Sequence, residues 1–397
     1  MPAIASVQAS ANGRYFESAD GEPFFWLGDT QWQLARDFTL DDVESIVRRR
    51  KQQGFNVLLV MLTGVGDGTR ANVNGHTPWL AHDPATPNEA YFRHVDDALH
   101  IAENAGMVVV LGVFHQLHVT RITTDNARGY ARWVAERYGG RPNVVWSMYP
   151  RATDEYIPVT RELVAGLMSV DEDRLITVHP DPSPASSSFI QDAPWLACHM
   201  IQSWAHLDKL VEMVAADYAL HPPKPVVMAE GAYEDPLTDE YAMAITPLMV
   251  RQQAYASCLA GGFHVYGHTD MWKRPAKWEA ALDAPGAKHM GVLRDVLCDL
   301  SWADLVPDMR LLADGPSHAL DCAARAADGS WALVYAAESD VVTVEPGALG
   351  ASSVRATHID PTTGERSDLG VHAGTGAIRF PAGEPTADGL VLLRPVG

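Results

Sequence analysis

Eight apolar runs separated by amphipathic segments occupy residues 24 to 268 of this 397-residue chain. Most of the runs are apolar throughout, without alternation, which is typical of parallel strands covered on both faces. This pattern restricts the chain to a parallel sheet whose strands are joined by helices. The runs lie at 24–30, 56–62, 107–114, 143–149, 174–180, 197–204, 225–231 and 262–268.

The segments between the runs carry helix signals. Thr39 is placed as the N-cap of the first such segment, which stops at Gly54, and the second stops at Gly106. Only residues 181–196 read as a loop. Eight strands with mostly helical crossovers predict a (β/α)8 TIM barrel. A doubly wound sheet is the alternative. Such a sheet usually has a glycine-rich turn after the first strand, and this chain does not have one there.

The sequence pattern changes after Leu305. Short runs of alternating apolar and polar residues are separated there by turn residues, such as the segment DPTTGE at 360–365. We therefore predict two domains, a catalytic barrel at 1–305 and a small antiparallel β-sandwich at 306–397. The joining segment is short and apolar, unlike a flexible tether. We expect the second domain to pack against the barrel.

Charge and composition exclude some partners. The chain has 30 Lys and Arg against 50 Asp and Glu, a net charge of −20. Nucleic acids and anionic lipids attract cations, so a neutral substrate fits better.

No apolar run approaches the roughly 20 residues of a membrane span. The N-terminus lacks a secretory signal pattern, and the widely spaced cysteines suggest buried free thiols, so we expect a cytoplasmic location.

Polar and aromatic residues gather at the C-terminal ends of the predicted strands. In a (β/α)8 barrel these ends carry the catalytic and binding groups. We therefore expect a common ligand site built by Asp29, Trp32, His115, His118, Tyr149, Arg151, His179, Gln202, Glu230, Tyr233, His264, Tyr266, His268 and Trp272.

The residue types favour sugar chemistry. The histidines lack the spacing of a zinc-protease helix, no tight set of three ligands is visible, and no GxSxG turn marks a serine hydrolase. We therefore expect neither a metal nor a cofactor. Aromatic rings, amides and carboxylates suit a carbohydrate. Glycoside cleavage needs two carboxyl groups, one of which is ionised, and Glu230 at the end of the seventh strand suits that role.

The chain also resembles a known family, the apiosidase-like glycoside hydrolases. The resemblance covers nearly the whole chain and is carried by RYFESADGEPFFWLGDTQWQL, GFNVLLV, RPNVVWSMYP, LITVHPDPSPASSSF, ADYALHPPKPVVMAEGAYE, GGFHVYGHTDMW and ALDAPGAKHMGVLRD. The segments GSWALVYAA and HIDPTTGE resemble the small C-terminal β-domain of these proteins, which bears a collagen-binding label. The resemblance implies a barrel that hydrolyses glycosidic bonds, with apiose-bearing pectin side chains as the defining substrate.

The resemblance also implies a catalytic pair, a glutamate after strand seven and an aspartate after strand four. The glutamate corresponds to Glu230, whereas the aspartate position falls on or near Arg151. Asp154, close downstream, or Asp29 on the first strand could supply the acid. A substrate whose leaving group needs little acid help, or a loss of hydrolytic activity, would also account for the departure.

We therefore expect a glycoside hydrolase acting on a small or oligomeric glycan, of plant or microbial pentose or furanose type, with Glu230 as nucleophile or base. Two alternatives stay open at this point. One is a carbohydrate-binding protein on a barrel that has lost catalysis. The other is a metal-dependent enzyme that uses the histidines at the strand ends. The sequence does not give the oligomeric state.

Overall fold

The computed structural model describes residues 6–182, 185–204, 206–235, 243–382 and 387–396. The strands are β1 Val7–Ala9, β2 Phe16–Ser18, β3 Pro23–Phe24, β4 Leu27–Thr30, β5 Val57–Met61, β6 Val108–His115, β7 Val144–Tyr149, β8 Ile176–Val178, β9 His199–Trp204, β10 Val226–Gly231, β11 Phe263–Tyr266, β12 Leu305–Pro307, β13 Cys322–Ala326, β14 Ala332–Ala336, β15 Val341–Val344, β16 Ser353–Ile359, β17 Arg366–Ala373, β18 Ile378–Pro381 and β19 Gly389–Pro395. The helices are α1 Leu34–Asp37, α2 Leu40–Gln52, α3 Glu89–Asn104, α4 Ala127–Tyr138, α5 Ile157–Met168, α6 Ser187–Ile190, α7 Leu210–Tyr218, α8 Pro247–Leu259, α9 Thr269–Lys273 and α10 Pro285–Cys298.

Strands β4 to β11 form an eight-stranded sheet in the order β8-β7-β6-β5-β4-β11-β10-β9. Consecutive strands from β4 to β8 pair in parallel, as do β10 and β11. Between the two ends of this order, Ile176 in β8 makes an isolated parallel bridge with Leu196, just before β9. The sheet is therefore a nearly closed barrel, which confirms the predicted (β/α)8 fold over the doubly wound alternative.

By compactness the chain forms two units, each built from two segments. The first unit comprises residues 1–202 and 267–282, and the second comprises 203–266 and 283–397. The first contains β4 to β8, and the second contains β10, β11 and the C-terminal sheets. The predicted domain boundary at residue 305 is a different division of the chain, and it stays a prediction.

In the first unit, α2 begins as the sequence predicts. The hydroxyl of Thr39 accepts a hydrogen bond from the backbone N–H of Asp42 (3.2 Å), and the Asp42 carboxylate accepts one from the backbone N–H of Thr39 (3.0 Å). This reciprocal capping box satisfies two donors that a helix start leaves unpaired. The cap fixes where α2 begins, and with it the helix face that packs on the barrel.

Two features of the first unit differ from the prediction. A short helix, α6, lies within the predicted loop at 181–196, of which residues 183–184 are outside the described residues. The antiparallel sheet β1-β2-β3 was also not predicted. All four elements are only two to four residues long, too short to show a hydrophobic period.

The second unit contains two antiparallel sheets, β12-β13-β14-β19-β16-β17 and β15-β18. Val334 and Val391 of the larger sheet share a hydrophobic core with Val344 and Phe380 of the smaller one, which confirms the predicted β-sandwich. The predicted turn at 360–365 joins β16 to β17, where the backbone N–H of Asp360 bonds the carbonyl oxygen of Glu365 at 3.0 Å.

The cysteines are free, as predicted. Cys198, Cys258 and Cys322 are buried, whereas Cys298 is exposed. The expectation of a buried thiol is therefore wrong for Cys298, which lies in the last turn of α10, on the side of that helix away from the core. Within the described residues, no helix combines the length and the hydrophobicity needed to cross a membrane.

Candidate active site

Three rings from three strand ends meet in the first unit. Trp32 follows β4, Tyr149 ends β7 and His179 follows β8. The ring centroids of Tyr149 and His179 lie 4.4 Å apart, those of Trp32 and His179 lie 5.2 Å apart, and those of Trp32 and Tyr149 lie 5.9 Å apart. The sequence predicted that these residues converge, and the first unit brings them together. The three rings are buried and form one aromatic cluster.

Two predicted residues extend this cluster. The His115 ring lies 5.2 Å from that of Tyr149. The hydroxyl of Tyr149 donates a hydrogen bond of 2.7 Å to the amide oxygen of Gln202, which is buried at the end of the first segment of this unit. The amide nitrogen of Gln202 is a donor type that suits a sugar hydroxyl.

His115 and His118 are buried and neutral. Burial lowers the pKa of His115 to about 4 and that of His118 to about 3. The Nδ1 atom of His118 accepts from the backbone N–H of His115 (3.1 Å), so its Nε2 carries the proton and donates to the hydroxyl of Thr63 (3.2 Å). These partners hold the loop after β6 in shape.

The pKa of His118 leads to a pH prediction. Because its folded pKa lies below the ordinary value of 6.5, the unfolded chain binds the proton first as the pH falls. Stability should therefore be lost from about pH 6.5 downward, by about 1.4 kcal/mol per pH unit for this one histidine. In urea unfolding at pH 7, 6 and 5, we expect His118→Asn to flatten the slope by nearly that amount between pH 6 and pH 5, and by about half of it between pH 7 and pH 6. Equal slopes for both proteins would contradict it.

Asp29 is held in a buried ion pair. Its carboxylate accepts from Nε of Arg50 at 2.7 Å and from the side-chain amide of Gln31 at 2.5 Å, and both members of the ion pair are fully buried. Burial raises the pKa of Asp29, and Arg50 and Gln31 oppose that rise. Arg50 lies in the last turn of α2, so the carboxylate is directed to the helix layer. This contact gives Asp29 a structural role.

The loop after β7 carries the other candidate acid. Asp154 is exposed and begins a short 3-10 turn, Asp154–Tyr156. Arg151 is also exposed, and its Nε donates to the side-chain oxygen of Gln116 in the loop after β6 (2.9 Å). Asp181, after β8, accepts from the backbone N–H of Ala152 at 2.8 Å. Arg151 therefore joins two neighbouring loops, and Asp154 stands at a turn start.

The remaining residues predicted in the first unit belong to its second segment. His268 is buried and caps α9, because its Nδ1 accepts from the backbone N–H of Asp270 at 3.0 Å. Trp272 lies within α9 and is half-buried. Both follow β11, at the strand end where the sequence placed them.

In the second unit, Glu230 lies at the C-terminal end of β10 and is 9% exposed. The hydroxyl of Tyr233 donates a hydrogen bond of 2.7 Å to its Oε1. The sequence predicted both residues at this site, and the structure joins them directly. The Tyr233 hydroxyl therefore gives this buried carboxylate a hydrogen-bond donor at the strand end.

Two other predicted residues of this unit have partners of a structural kind. Tyr266 donates to the carboxylate of Glu234 at 2.6 Å, and Glu234 also accepts from the backbone N–H of Gly286 in the first turn of α10 (3.3 Å). His264 faces Ser257 of α8, with Nδ1 and Oγ 3.4 Å apart, and burial lowers its pKa to about 3. These contacts direct His264 to the helix layer.

Sequence reasoning missed one buried polar residue in each unit, Arg50 in the first and Gln253 in the second. Arg50 follows Val43, Ile46 and Val47 at helical spacing, so the pattern itself placed it on the buried face of α2. Gln253 lies in α8, where a polar triplet interrupts an apolar run. Across the described residues, no group of three His, Cys, Asp or Glu side chains is arranged to hold a metal ion.

Solved structures share this fold. One described as a glycoside hydrolase has a TM-score of 0.90 at 23% identity, with 99% of this chain and 97% of that chain covered. A family 5 glycoside hydrolase from Bacteroides vulgatus has a TM-score of 0.89 at 23% identity, with 98% and 93% covered. A β-L-arabinopyranosidase from Geobacillus stearothermophilus has a TM-score of 0.57 at 13% identity, with 94% and 97% covered.

Family models match both parts of the chain. Residues 306–393 match a model described as "Putative collagen-binding domain of a collagenase". Residues 10–304 match the model of the apiosidase-like catalytic domain. A comparison with curated protein sequences gives no match. Since the catalytic-domain model covers well over half of the sequence, the chain belongs to the apiosidase-like family of glycoside hydrolases.

Proposed function

We propose that this protein hydrolyses a glycosidic bond in a small or oligomeric neutral glycan of pentose or furanose type, with Glu230 as nucleophile or base. The observation that carries this proposal is the buried Glu230 carboxylate at the end of β10, which accepts the Tyr233 hydroxyl at 2.7 Å. Barrel enzymes build their sites from such strand ends. An ionised carboxylate at this position has oxygen lone pairs that can attack the anomeric carbon or remove a proton from water.

The ring cluster of the first unit supports a carbohydrate substrate. Trp32 and Tyr149 contribute two aromatic rings with centroids 5.9 Å apart, and His115 is neutral because burial lowers its pKa. Neutral donors and acceptors recognise hydroxyl groups without requiring a charged ligand. The chain's net charge of −20 also disfavours an anionic glycan. The structural relative from Geobacillus is described in complex with arabinose, which is consistent with a pentose.

The second carboxyl group protonates the leaving-group oxygen in this mechanism. Asp29 is engaged by Arg50 and Gln31, so we retain Asp154 as the candidate acid. Asp154→Asn is expected to lower turnover about 10²- to 10⁴-fold on alkyl glycosides, whose leaving group needs a proton to depart. Dinitrophenolate departs without a proton, so turnover of dinitrophenyl glycosides should fall far less. The control is Glu155→Gln, which removes a neighbouring exposed carboxylate. Equal losses of turnover on alkyl and dinitrophenyl glycosides would exclude Asp154 as the acid.

The proposal is tested by a screen of 4-nitrophenyl pentopyranosides and pentofuranosides with the full chain and its Glu230→Gln variant. We expect at least one aryl glycoside to be hydrolysed by the full chain and not by its Glu230→Gln variant. The anomeric configuration of the first-formed product then assigns the role of Glu230. Retention makes it the nucleophile, and inversion makes it the base. Equal hydrolysis by both proteins would overturn the proposal.

A further inference from the structure

Helix α8 is buried on all sides beyond its first turn. Ten consecutive residues, from Val250 to Leu259, are buried, so this part of the helix has no solvated face. The polar triplet Arg251, Gln252 and Gln253 lies inside this run. Because buried polar side chains need hydrogen-bond partners, the partners of the triplet show what the helix connects.

The first two residues of the triplet bind the C-terminal sheets. Nε of Arg251 donates to Oδ2 of Asp388 at 2.8 Å, and a second guanidinium nitrogen contacts Oδ1 of the same carboxylate. Tyr335 in β14 donates to Asp388 Oδ2 at 2.6 Å. The side-chain amide of Gln252 donates to the carbonyl oxygen of Ala337 at 2.7 Å. These bonds attach α8 to the β-sandwich at two separate points.

Gln253 binds the chain just beyond the end of β10. Its Oε1 accepts from the backbone N–H of Ala232 at 2.8 Å, and its Nε2 donates to the carbonyl oxygen of the same residue at 3.2 Å. Ala232 is two residues beyond Glu230. One amide therefore holds both backbone groups of Ala232, which fixes its orientation as well as its position.

The residue between Glu230 and Ala232 is consistent with this clamp. A Cβ atom added to Gly231 would overlap the side-chain oxygen of Gln253. The glycine therefore gives the Gln253 amide room to reach the backbone. Catalytic groups must be held within fractions of an ångström, and a misplacement of about 1 Å can cost roughly 10²-fold in rate.

We propose that the C-terminal β-sandwich positions Glu230 through α8, with Gln253 as the positioning residue that makes the last contact. The sandwich fixes Arg251 and Gln252, the rigid helix carries this constraint one residue further, and Gln253 holds the backbone next to Glu230. This inference rests on the proposed function of Glu230. It gives the C-terminal domain a role in catalysis that needs no ligand of its own.

The first test replaces Gln253 with Ala and uses Gln53→Ala as a matched control. Gln53 is also a buried glutamine, directly after the end of α2, and its side-chain amide donates to the carbonyl oxygen of Leu282 at 2.7 Å. Both variants should lose thermal stability. Only Gln253→Ala should lower kcat, by about 10- to 100-fold, with a smaller change in KM. The loss should be equal on alkyl and dinitrophenyl glycosides, because proton donation is unaffected.

A second readout needs no substrate. Gln253→Ala leaves the Ala232 N–H without its acceptor, so hydrogen exchange should accelerate in the peptide covering 226–235, whereas Gln53→Ala should leave this peptide unchanged. Asp388→Asn should accelerate the same exchange and lower kcat, and it should add little to Gln253→Ala because both act on one path. Tyr335→Phe, which loses only a hydroxyl, replaces Asp388→Asn if that variant does not fold.

The outcomes separate the two proposals. Suppose that Gln253→Ala keeps kcat within about twofold of the parent, which is less than the loss that misplacement produces, and that Glu230→Gln abolishes turnover. The positioning role of Gln253 is then overturned, and the proposed function stands. If Asp388→Asn and Tyr335→Phe lower only thermal stability, the sandwich has no part in positioning. If Glu230→Gln keeps normal turnover, the proposed function fails and this inference fails with it.

Discussion

Replacement of Glu230 by Gln should lower kcat by at least about 10²- to 10⁴-fold on the aryl glycoside that the protein hydrolyses best. Gln keeps the length of Glu and still accepts the Tyr233 hydroxyl, which lies 2.7 Å from Oε1. It cannot attack the anomeric carbon or remove a proton from water. Thermal stability and sugar binding should therefore change little, and the loss should lie in kcat, measured by steady-state kinetics.

Glu234→Gln is the matched control for this experiment. Glu234 is a second buried carboxylate four residues further on, but its oxygens accept from the Tyr266 hydroxyl and the backbone N–H of Gly286. Its replacement should lower the melting temperature, since two hydrogen bonds to a charged acceptor become bonds to a neutral one. Near-normal turnover by Glu230→Gln, or an equal kcat loss in both variants, would refute the assignment of Glu230.

The barrel could be predicted because most of its strands lie within continuous apolar runs. The run at 107–114 is β6, Val108–His115, and the run at 143–149 is β7, Val144–Tyr149. Strand ends follow from these bounds, and with them the polar residues that the ends carry. Trp32, Tyr149 and His179 therefore converge as predicted, because parallel strands bring their C-terminal ends to one edge.

The direction of a single polar side chain within such a strand could not be predicted. A strand covered on both faces has no alternation that tells the barrel interior from the helix layer. His264 in β11 and Asp29 in β4 were both expected at the ligand site, yet His264 contacts Ser257 of α8 and Asp29 contacts Arg50 of α2. The direction of each side chain depends on its partner on a neighbouring helix, and that tertiary contact cannot be read from the sequence.

Asp29 also gives the largest expected effect on stability. Removal of one member of a buried ion pair leaves the other charge unpaired and costs about 3–5 kcal/mol. We expect Asp29→Leu to lower the free energy of unfolding by that amount in urea titrations, because Arg50 then keeps its charge without a carboxylate. Replacing both residues, Asp29→Leu with Arg50→Met, should recover part of the loss, since an apolar pair of similar volume needs no charge partner.

Kinetics separate this structural role from a role as the acid. Asp29→Asn keeps the side-chain shape and should reduce turnover of alkyl and dinitrophenyl glycosides by the same factor, if it reduces turnover at all. An acid would show a loss confined to the alkyl glycosides, because only these need a proton on the leaving oxygen. That selective loss, in a variant as stable as the parent, would make Asp29 the acid and contradict a purely structural role for its pair with Arg50.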